Sequence, residues 1–118
     1  MKLIYQSKNI ERCSTDFRYA IKEMGLEKAK AFTKRLNELK SFDNLSDLMN
    51  SGLDNPHMEN CNLKGWIGWS ITGSYRLIID PMKELTSNFW TIEVEIKEVK
   101  IRGIVDYHGS EKNNWVIK

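Results

Sequence analysis

The chain has 118 residues, of which 41% are hydrophobic and 29% charged, and its formal net charge is +2. This length suits one globular domain, and the composition is far from that of a disordered chain. No unbroken run of aliphatic and aromatic residues exceeds three, which excludes a membrane span, and no export signal is recognisable, so we expect a cytoplasmic protein.

The first third of the chain predicts a strand followed by a basic helical hairpin. Residues 2–6 are expected to form the strand, and apolar residues recur at steps of three and four over Asn9–Met24 and again over Glu27–Lys40. Residues 1–40 hold ten Lys and Arg against five Asp and Glu. Such a surface fits either a phosphate-rich or acidic partner or an ordinary solvated helix face.

The middle of the chain predicts a loop and then a β-hairpin. A short helix is expected around residues 45–49, and Asn50–Asn62 has the Gly, Pro and Asn content of a loop. The following β-rich runs, 66–71 and 74–80, are separated by Thr72-Gly73, as in a hairpin.

The last third predicts further strands. Residues 90–106 are too many for one ordinary strand, so we expect two strands or a bulge near Lys97 or Gly103. The predicted fold class is therefore α+β, with an N-terminal strand and a helical hairpin packed on an antiparallel β-sheet.

Several side chains are candidates for chemistry. Asp106-Tyr107-His108 clusters hydrogen-bonding and proton-transferring groups at a strand end, and the triplet fits equally a strand that finishes in a polar turn. Arg76 lies within an apolar strand, either to bind phosphate or to pair with Asp80, Glu93 or Glu95. Lys64 is a further cation before the hairpin.

Two other groups of side chains bear on the site. The aromatic residues of the sheet are expected in the core, although one exposed on the sheet surface would stack on an unpaired base; they are Trp66, Trp69, Tyr75 and Trp90. Cys13 and Cys61 lie 48 positions apart without metal-ligand spacing, so reduced thiols are expected and no metal or cofactor is predicted.

Four motifs in order resemble the RelE/HigB-type toxins of bacterial type II toxin–antitoxin systems. They are RLNELKSFDNL in the second helix, LKG at 63–65, YRLIIDP at 75–81 and DYH at 106–108. The resemblance covers residues 1–109, expected as a single domain, and leaves 110–118 as a C-terminal extension that either passes near the site or frays. It implies a microbial-ribonuclease-like fold.

The resemblance also implies a function and roles for individual residues. The expected activity is metal-independent cleavage of ribosome-bound mRNA by attack of the ribose 2'-hydroxyl, which inhibits translation, and the expected partners are mRNA, the ribosome and a helix-turn-helix antitoxin resembling HigA. His108 would be the general acid or base and Arg76 would stabilise the transition state. Lys64 would contact phosphate, Asp106 would orient His108 or take the proton, and Tyr107 would stack on a base or donate a hydrogen bond.

This sequence departs from the family pattern before LKG. Cys61 stands where many relatives have a histidine, and His57 lies four residues earlier, so both are additional candidates for the site. Two other functions fit the resemblance: a non-enzymatic inhibitor of DNA gyrase on the same scaffold, like the ParE toxins, and an inactive protein that only binds its antitoxin.

Overall fold

A computed structural model of the chain describes residues 1–85, 95–107 and 114–118. The helices are α1 (Lys8–Thr15), α2 (Phe17–Met24), α3 (Leu26–Ser41) and α4 (Leu45–Ser51). The strands are β1 (Lys2–Tyr5), β2 (His57–Met58), β3 (Ile67–Thr72), β4 (Tyr75–Asp80), β5 (Glu98–Asp106) and β6 (Asn114–Ile117), and a 3-10 turn spans Cys61–Leu63. No helix in the described ranges is long and apolar enough to cross a membrane.

The α+β prediction is confirmed, but the sheet is mixed. Its strands lie in the order β1-β5-β4-β3-β2, and β6 also pairs with β5. The prediction of a wholly antiparallel sheet is wrong at one edge, because β1 pairs in parallel with β5. The many intervening residues supply the long crossover that a parallel pair needs, and no local pattern reveals that orientation.

The predicted first helix, Asn9–Met24, is divided in two at Asp16. Asp16 has extended backbone angles (φ −126°, ψ 99°), and its carboxylate accepts a hydrogen bond from the Tyr19 amide as the N-cap of α2. The hydroxyl groups of Ser14 and Thr15 donate back to the Glu11 carbonyl. Three consecutive residues with short polar side chains thus favour a helix end and a new start, although the apolar periodicity continues across them.

The predicted loop at Asn50–Asn62 contains a short strand. In β2, His57 is opposite Gly68 of β3 and Met58 is opposite Ile67. Only two residues pair in this way, so the strand is too short to produce a recognisable alternation in the sequence. This strand matters most for the site, because it attaches the loop to the sheet.

The predicted hairpin and bulge are confirmed. β3 and β4 are antiparallel neighbours, and the β4–β5 register shifts so that Arg102 is the extra residue beside Gly103. Residues 90–94 of the predicted long strand lie outside the described residues. In the C-terminal extension, residues 114–117 form β6, which pairs with β5.

The two faces of the sheet are covered differently. The helices pack on one face and form the main core around buried residues that include Ile10, Phe32, Leu36, Leu39, Trp69, Leu77, Ile79 and Ile101. On the other face, Leu63, Ile78 and Val105 form a smaller cluster that Trp66 and Trp115 partly cover. Because Arg76 and Ile78 are two residues apart in β4, Arg76 also projects from this face. None of the described α-helices packs on it, and it is called the helix-free face below.

Gly103 of β5 lies close to the backbone of the last strand, β6. Its φ is +140°, and a Cβ there would lie 2.1 Å from the Ile117 carbonyl oxygen, whereas Gly65 has φ +94° with nothing within 4 Å of a Cβ. Both Gly→Ala changes impose backbone strain, but only Gly103→Ala adds a backbone clash. We expect Gly103→Ala to lower the free energy of unfolding by about 1–3 kcal/mol more than Gly65→Ala, measured by urea denaturation. Equal losses would contradict the close packing of β6.

Candidate functional site

Strand β2 places His57 and Glu59 side by side above the helix-free face. Met58, between them, packs against the main core, so its two neighbours point to the opposite side of the sheet. The Glu59 amide continues the pairing by donating to the Trp66 carbonyl at 2.9 Å. Backbone pairing with β3 and with Trp66, the residue before it, therefore fixes the positions of His57 and Glu59.

Gly68 makes room for the Glu59 carboxylate. A Cβ at Gly68 would lie 1.9 Å from Glu59 Oε1 and 2.8 Å from its Cδ. Without that atom, the carboxylate lies directly against Gly68 of β3, and only 5% of the Glu59 side chain is exposed. The absence of a side chain at position 68 thus determines where the acid sits.

Arg76 neutralises this buried carboxylate. Its Nη1 lies 3.0 Å from Glu59 Oε1 and 2.8 Å from His57 Nε2. The guanidinium carbon lies 3.5 Å from the centroid of the Tyr107 ring, so the cation stacks on an aromatic face. These four residues, His57, Glu59, Arg76 and Tyr107, are called the Glu59 cluster below.

The contacts of His57 identify its titrating nitrogen. Nδ1 lies 2.9 Å from the Asn55 carbonyl oxygen, which can only accept, so Nδ1 carries a proton in both charge states. Nε2 lies 3.1 Å from Glu59 Oε1 as well as beside Arg76. The neutral ring accepts from Arg76 through Nε2, and the protonated ring donates from Nε2 to Glu59.

The pKa values of His57 and Glu59 are shifted in opposite directions. The hydrogen bond to Glu59 raises the pKa of His57 above 6.5, against the opposing effect of burial. Burial alone would raise the pKa of Glu59, but hydrogen bonds from His57 and Arg76 outweigh it and lower the pKa below 4.5. At neutral pH the cluster therefore holds a charged carboxylate beside an imidazole that protonates readily.

Of the residues predicted for the site, Arg76 and Tyr107 contact each other, whereas Asp106 lies at the same end of the sheet but is paired with Tyr75, the neighbour of Arg76. Tyr107 donates its amide to the Ser74 carbonyl at 2.8 Å, which brings its ring beside Arg76. Asp106 lies opposite Tyr75 in the β4–β5 pairing, and its Oδ1 accepts a hydrogen bond of 2.6 Å from the Ser74 hydroxyl. His108 lies outside the described residues, directly after Tyr107.

Lys64 borders a cavity next to the cluster. The cavity has a volume of about 500 Å³ and is lined by Met58, Glu59, Asn60, Lys64, Gly65, Glu84 and Leu85. Lys64 is exposed, and within the described part of the chain it stands outside the hydrogen-bonded group around Glu59. Cys61 begins the 3-10 turn that precedes Lys64.

The sequence does not identify Glu59 as a member of the site. The ion pairs predicted between Arg76 and Asp80 or Glu95 are wrong, because Arg76 pairs with Glu59. Asp80 instead binds Arg102 at 3.2 Å, Glu95 lies 3.6 Å from Lys97, and Glu93 is outside the described residues. The sequence feature that indicates Glu59 is its two-residue spacing from His57, which places both side chains on one face if the segment is extended. Its interpretation as a loop hid that relation.

Comparison of the chain with protein-family models, with curated proteins and with solved structures finds no match. The resemblance to RelE/HigB toxins therefore remains a hypothesis carried by the motifs. Within the described residues, no group of three or more His, Cys, Asp or Glu side chains is arranged to hold a metal ion.

Substitution of Gly68 by Ala should displace the Glu59 carboxylate without unfolding the protein. The new Cβ would overlap the end of a flexible side chain, which can rotate away, whereas alanine itself fits a strand. We expect the pKa of His57 to fall, because its contact with Glu59 is lost, and the far-ultraviolet circular dichroism to stay unchanged. NMR titration of the imidazole measures the effect, with Ser70→Ala in the same strand as control. An unchanged His57 pKa would contradict the proposed crowding at position 68.

The stability that the cluster provides should depend on pH in a defined window. Glu59, with its lowered pKa, contributes fully above its ordinary value of 4.5 and loses this contribution as the pH falls through its folded-state pKa. His57, with its raised pKa, contributes fully below 6.5 and loses this contribution as the pH rises through its folded-state pKa. The combined contribution is greatest between pH 4.5 and 6.5.

Urea denaturation of the wild type and of Glu59→Gln across this range tests the pH dependence. The variant should unfold more easily by about 1–3 kcal/mol within the window, because Arg76 and His57 lose a charged acceptor. The difference should narrow on either side of the window. A difference that stays constant with pH would show that these two groups are not coupled.

Proposed function

We propose that the chain is an endoribonuclease that cleaves mRNA by attack of the ribose 2'-hydroxyl on the adjacent phosphate, without a metal. The observation that supports this most strongly is the buried, charged carboxylate of Glu59 between the imidazole of His57 and the guanidinium of Arg76. The reaction needs a base, an acid and a cation at the phosphate, and this cluster holds all three types of group.

In this proposal Glu59 is the general base and His57 the general acid. Glu59 takes the proton of the 2'-hydroxyl as O2' forms a bond to phosphorus. The bond from phosphorus to O5' breaks, and the departing oxygen takes the proton from Nε2 of the His57 imidazolium. The products are a 2',3'-cyclic phosphate and a 5'-hydroxyl, and proton exchange with water restores Glu59 and His57.

Arg76 would bind the reacting phosphate and stabilise its additional negative charge in the transition state. A guanidinium has five N–H donors in a planar fork, so it can keep one contact with Glu59 while others meet phosphate oxygens. Tyr107 would hold the plane of Arg76 by stacking. The phenol therefore acts as a positioning group in this scheme, which differs from its predicted contact with the RNA base.

His108 and Asp106 remain part of the proposal through the family resemblance. His108 is the alternative general acid, and Asp106, fixed by the Ser74 hydroxyl, is the group that would orient it. Lys64 borders the cavity beside Glu59 and would contact a neighbouring phosphate there. His57 has the stronger support, since its nitrogen already contacts both Glu59 and Arg76.

The cellular role we propose follows the resemblance. The chain would be the toxin of a type II toxin–antitoxin pair in the cytoplasm, acting on ribosome-bound mRNA and neutralised by a helix-turn-helix antitoxin. Residues 1–40 hold ten basic and five acidic residues, and this positive charge supports contact with ribosomal RNA or with an acidic antitoxin segment.

Two assays with the purified protein test the proposal. In the first, the protein acts on free mRNA with EDTA present to exclude metal catalysis. In the second, it acts on mRNA that ribosomes are translating. Mapping of new 5' ends should show cuts that carry a 5'-hydroxyl. Glu59→Gln, Arg76→Gln and Gly68→Ala should each reduce the rate about 10²–10⁴-fold, because each removes or displaces a group that acts in the transition state. Tyr107→Phe keeps the ring beneath Arg76 and is the matched control with near-normal activity.

The two histidines are separated by comparing His57→Gln with His108→Gln. A large loss in the first variant alone assigns the acid to His57, whereas a large loss in the second alone transfers the role to His108. Absence of cleavage by the wild type in both assays would contradict the endoribonuclease proposal. Inhibition of DNA gyrase by that same preparation would favour the non-enzymatic alternative.

A further inference from the structure

A second pocket lies on the helix-free face, and the mechanism above does not use it. It has a volume of about 420 Å³ and is called the Trp pocket here; its lining residues are Gln6, Ser7, Trp66, Arg102, Trp115 and Lys118. Trp66 and Trp115 are partly exposed, and Lys118 is exposed. Two large aromatic rings and two cations thus line one concave surface.

The geometry of Arg102 fixes a cation against an aromatic ring. Its guanidinium carbon lies 4.2 Å from the centroid of Trp66, and its Nη1 lies 3.2 Å from Asp80 Oδ2. The Trp66 and Trp115 rings meet edge to face, with centroids 6.4 Å apart and planes inclined by 62°. The ion pair and the stacking hold the guanidinium in place before any ligand arrives.

The pocket forms where β5 changes its neighbour along one edge. The Gln6 amide, just after β1, donates to the Ile101 carbonyl, and the pairing with β6 begins at Ile104. The bulge at Arg102 lies between these two pairings. The first and last strands therefore leave a gap along β5, and Arg102 projects beside it.

The Trp pocket and the Glu59 cluster lie on the same face of the sheet. Arg76, Ile78 and Asp80 alternate along β4, so their side chains share one face. Arg76 contacts Glu59 at one end, and Asp80 contacts Arg102 at the other. Four residues of strand separate the two, about 13 Å at a rise of roughly 3.3 Å per residue.

We propose that the Trp pocket binds a nucleotide of single-stranded RNA that flanks the cleaved bond. A base would stack on the partly exposed Trp115 ring, and the adjoining phosphate would contact Arg102 and Lys118. The inference rests on the proposed function, since it extends the substrate from Arg76 along the same face of the sheet. It assigns the strand of the C-terminal extension a role in substrate binding.

The chemistry of the pocket favours unpaired RNA over an acidic protein segment. Stacking on tryptophan and on guanidinium planes requires a flat π-surface, which an unpaired base presents and a carboxylate side chain lacks. Duplex RNA keeps its bases stacked within the helix, so it cannot place one on Trp115. The two cations then account for the phosphate of the same nucleotide.

Equilibrium binding of a fluorescently labelled RNA tests the proposal without requiring cleavage. The probe is a short unstructured oligonucleotide with 2'-O-methyl riboses throughout, which lack the attacking hydroxyl. Lys118→Gln should weaken binding and reduce the slope of log Kd against log salt concentration by about 0.7, because one phosphate contact is lost. Lys97→Gln, at an exposed lysine outside the basic residues 1–40 and outside the Trp pocket, is the charge-matched control and should leave both values unchanged.

The aromatic contribution is measured with Trp115→Ala and Trp115→Phe. The alanine variant should raise Kd about tenfold, and the phenylalanine variant should recover most of the affinity, because it restores a ring for stacking. RNA binding should also quench the intrinsic tryptophan fluorescence of the protein. The quenching should persist in Trp69→Phe, because Trp69 is fully buried in the main core and does not meet RNA. It should be weaker in Trp115→Phe.

The outcomes distinguish failure of this proposal from failure of the proposed function. If Lys118→Gln and Trp115→Ala bind RNA with wild-type affinity, Lys118→Gln keeps the wild-type salt slope and Trp115→Phe keeps the wild-type quenching, the Trp pocket is not an RNA subsite, whatever the wild type cleaves. This result would leave the pocket to another partner, such as an acidic protein segment. If the variants weaken binding but the wild type cuts no RNA, the subsite stands and the catalytic assignment fails. Should Trp115→Ala unfold, Lys118→Gln still decides the question.

Discussion

The buried ion pair between Glu59 and Arg76 is the contact that organises the helix-free face of the sheet. A carboxylate this little exposed to water must be neutralised and hydrogen-bonded, and Arg76 and His57 satisfy Glu59 from β4 and β2. The pair attaches the segment after α4 to the sheet. It also keeps a negative charge in a place where burial alone would favour its protonated form.

The two faces of the sheet follow from the alternation along β4. Leu77 and Ile79 contribute to the main core under the helices, whereas Arg76 and Asp80 carry the polar contacts on the other side. The described α-helices pack on the first face, so the charged side chains of β4 lie on the second, where ion pairs neutralise them, while their neighbours in sequence pack in the core. One strand thus links the core to both proposed RNA contacts.

Much of the fold followed from local patterns, and its departures have physical causes. The periodicity of α3, the hairpin and the bulge beside Gly103 are properties of short segments, and the sequence predicts them correctly. The parallel pairing of β1 with β5 joins segments far apart in the chain, and no local pattern encodes it. Asp16 ended a helix because its side chain competes for backbone amides, an effect that apolar periodicity does not register.

The candidate site was predicted in part for the same reason. Arg76 was recognisable as a charge within an apolar strand, and Tyr107 and Asp106 as polar groups at a strand end. Glu59 was not recognisable, because its position depends on the space that Gly68 leaves on the neighbouring strand β3 and its charge depends on Arg76 of β4. A residue whose role depends on the space left by another becomes recognisable only when the strands are aligned.

Gly68 also determines how this protein would be lost under selection. Every missense change of a glycine codon introduces a side chain, and here any side chain begins where the Glu59 carboxylate lies. If the proposed activity harms the cell that makes it, a change of Gly68 to alanine would inactivate the protein while the chain still folds. Cells that survive would then carry folded, inactive copies of the protein. Sequencing codon 68 across such a population would reveal the substitutions.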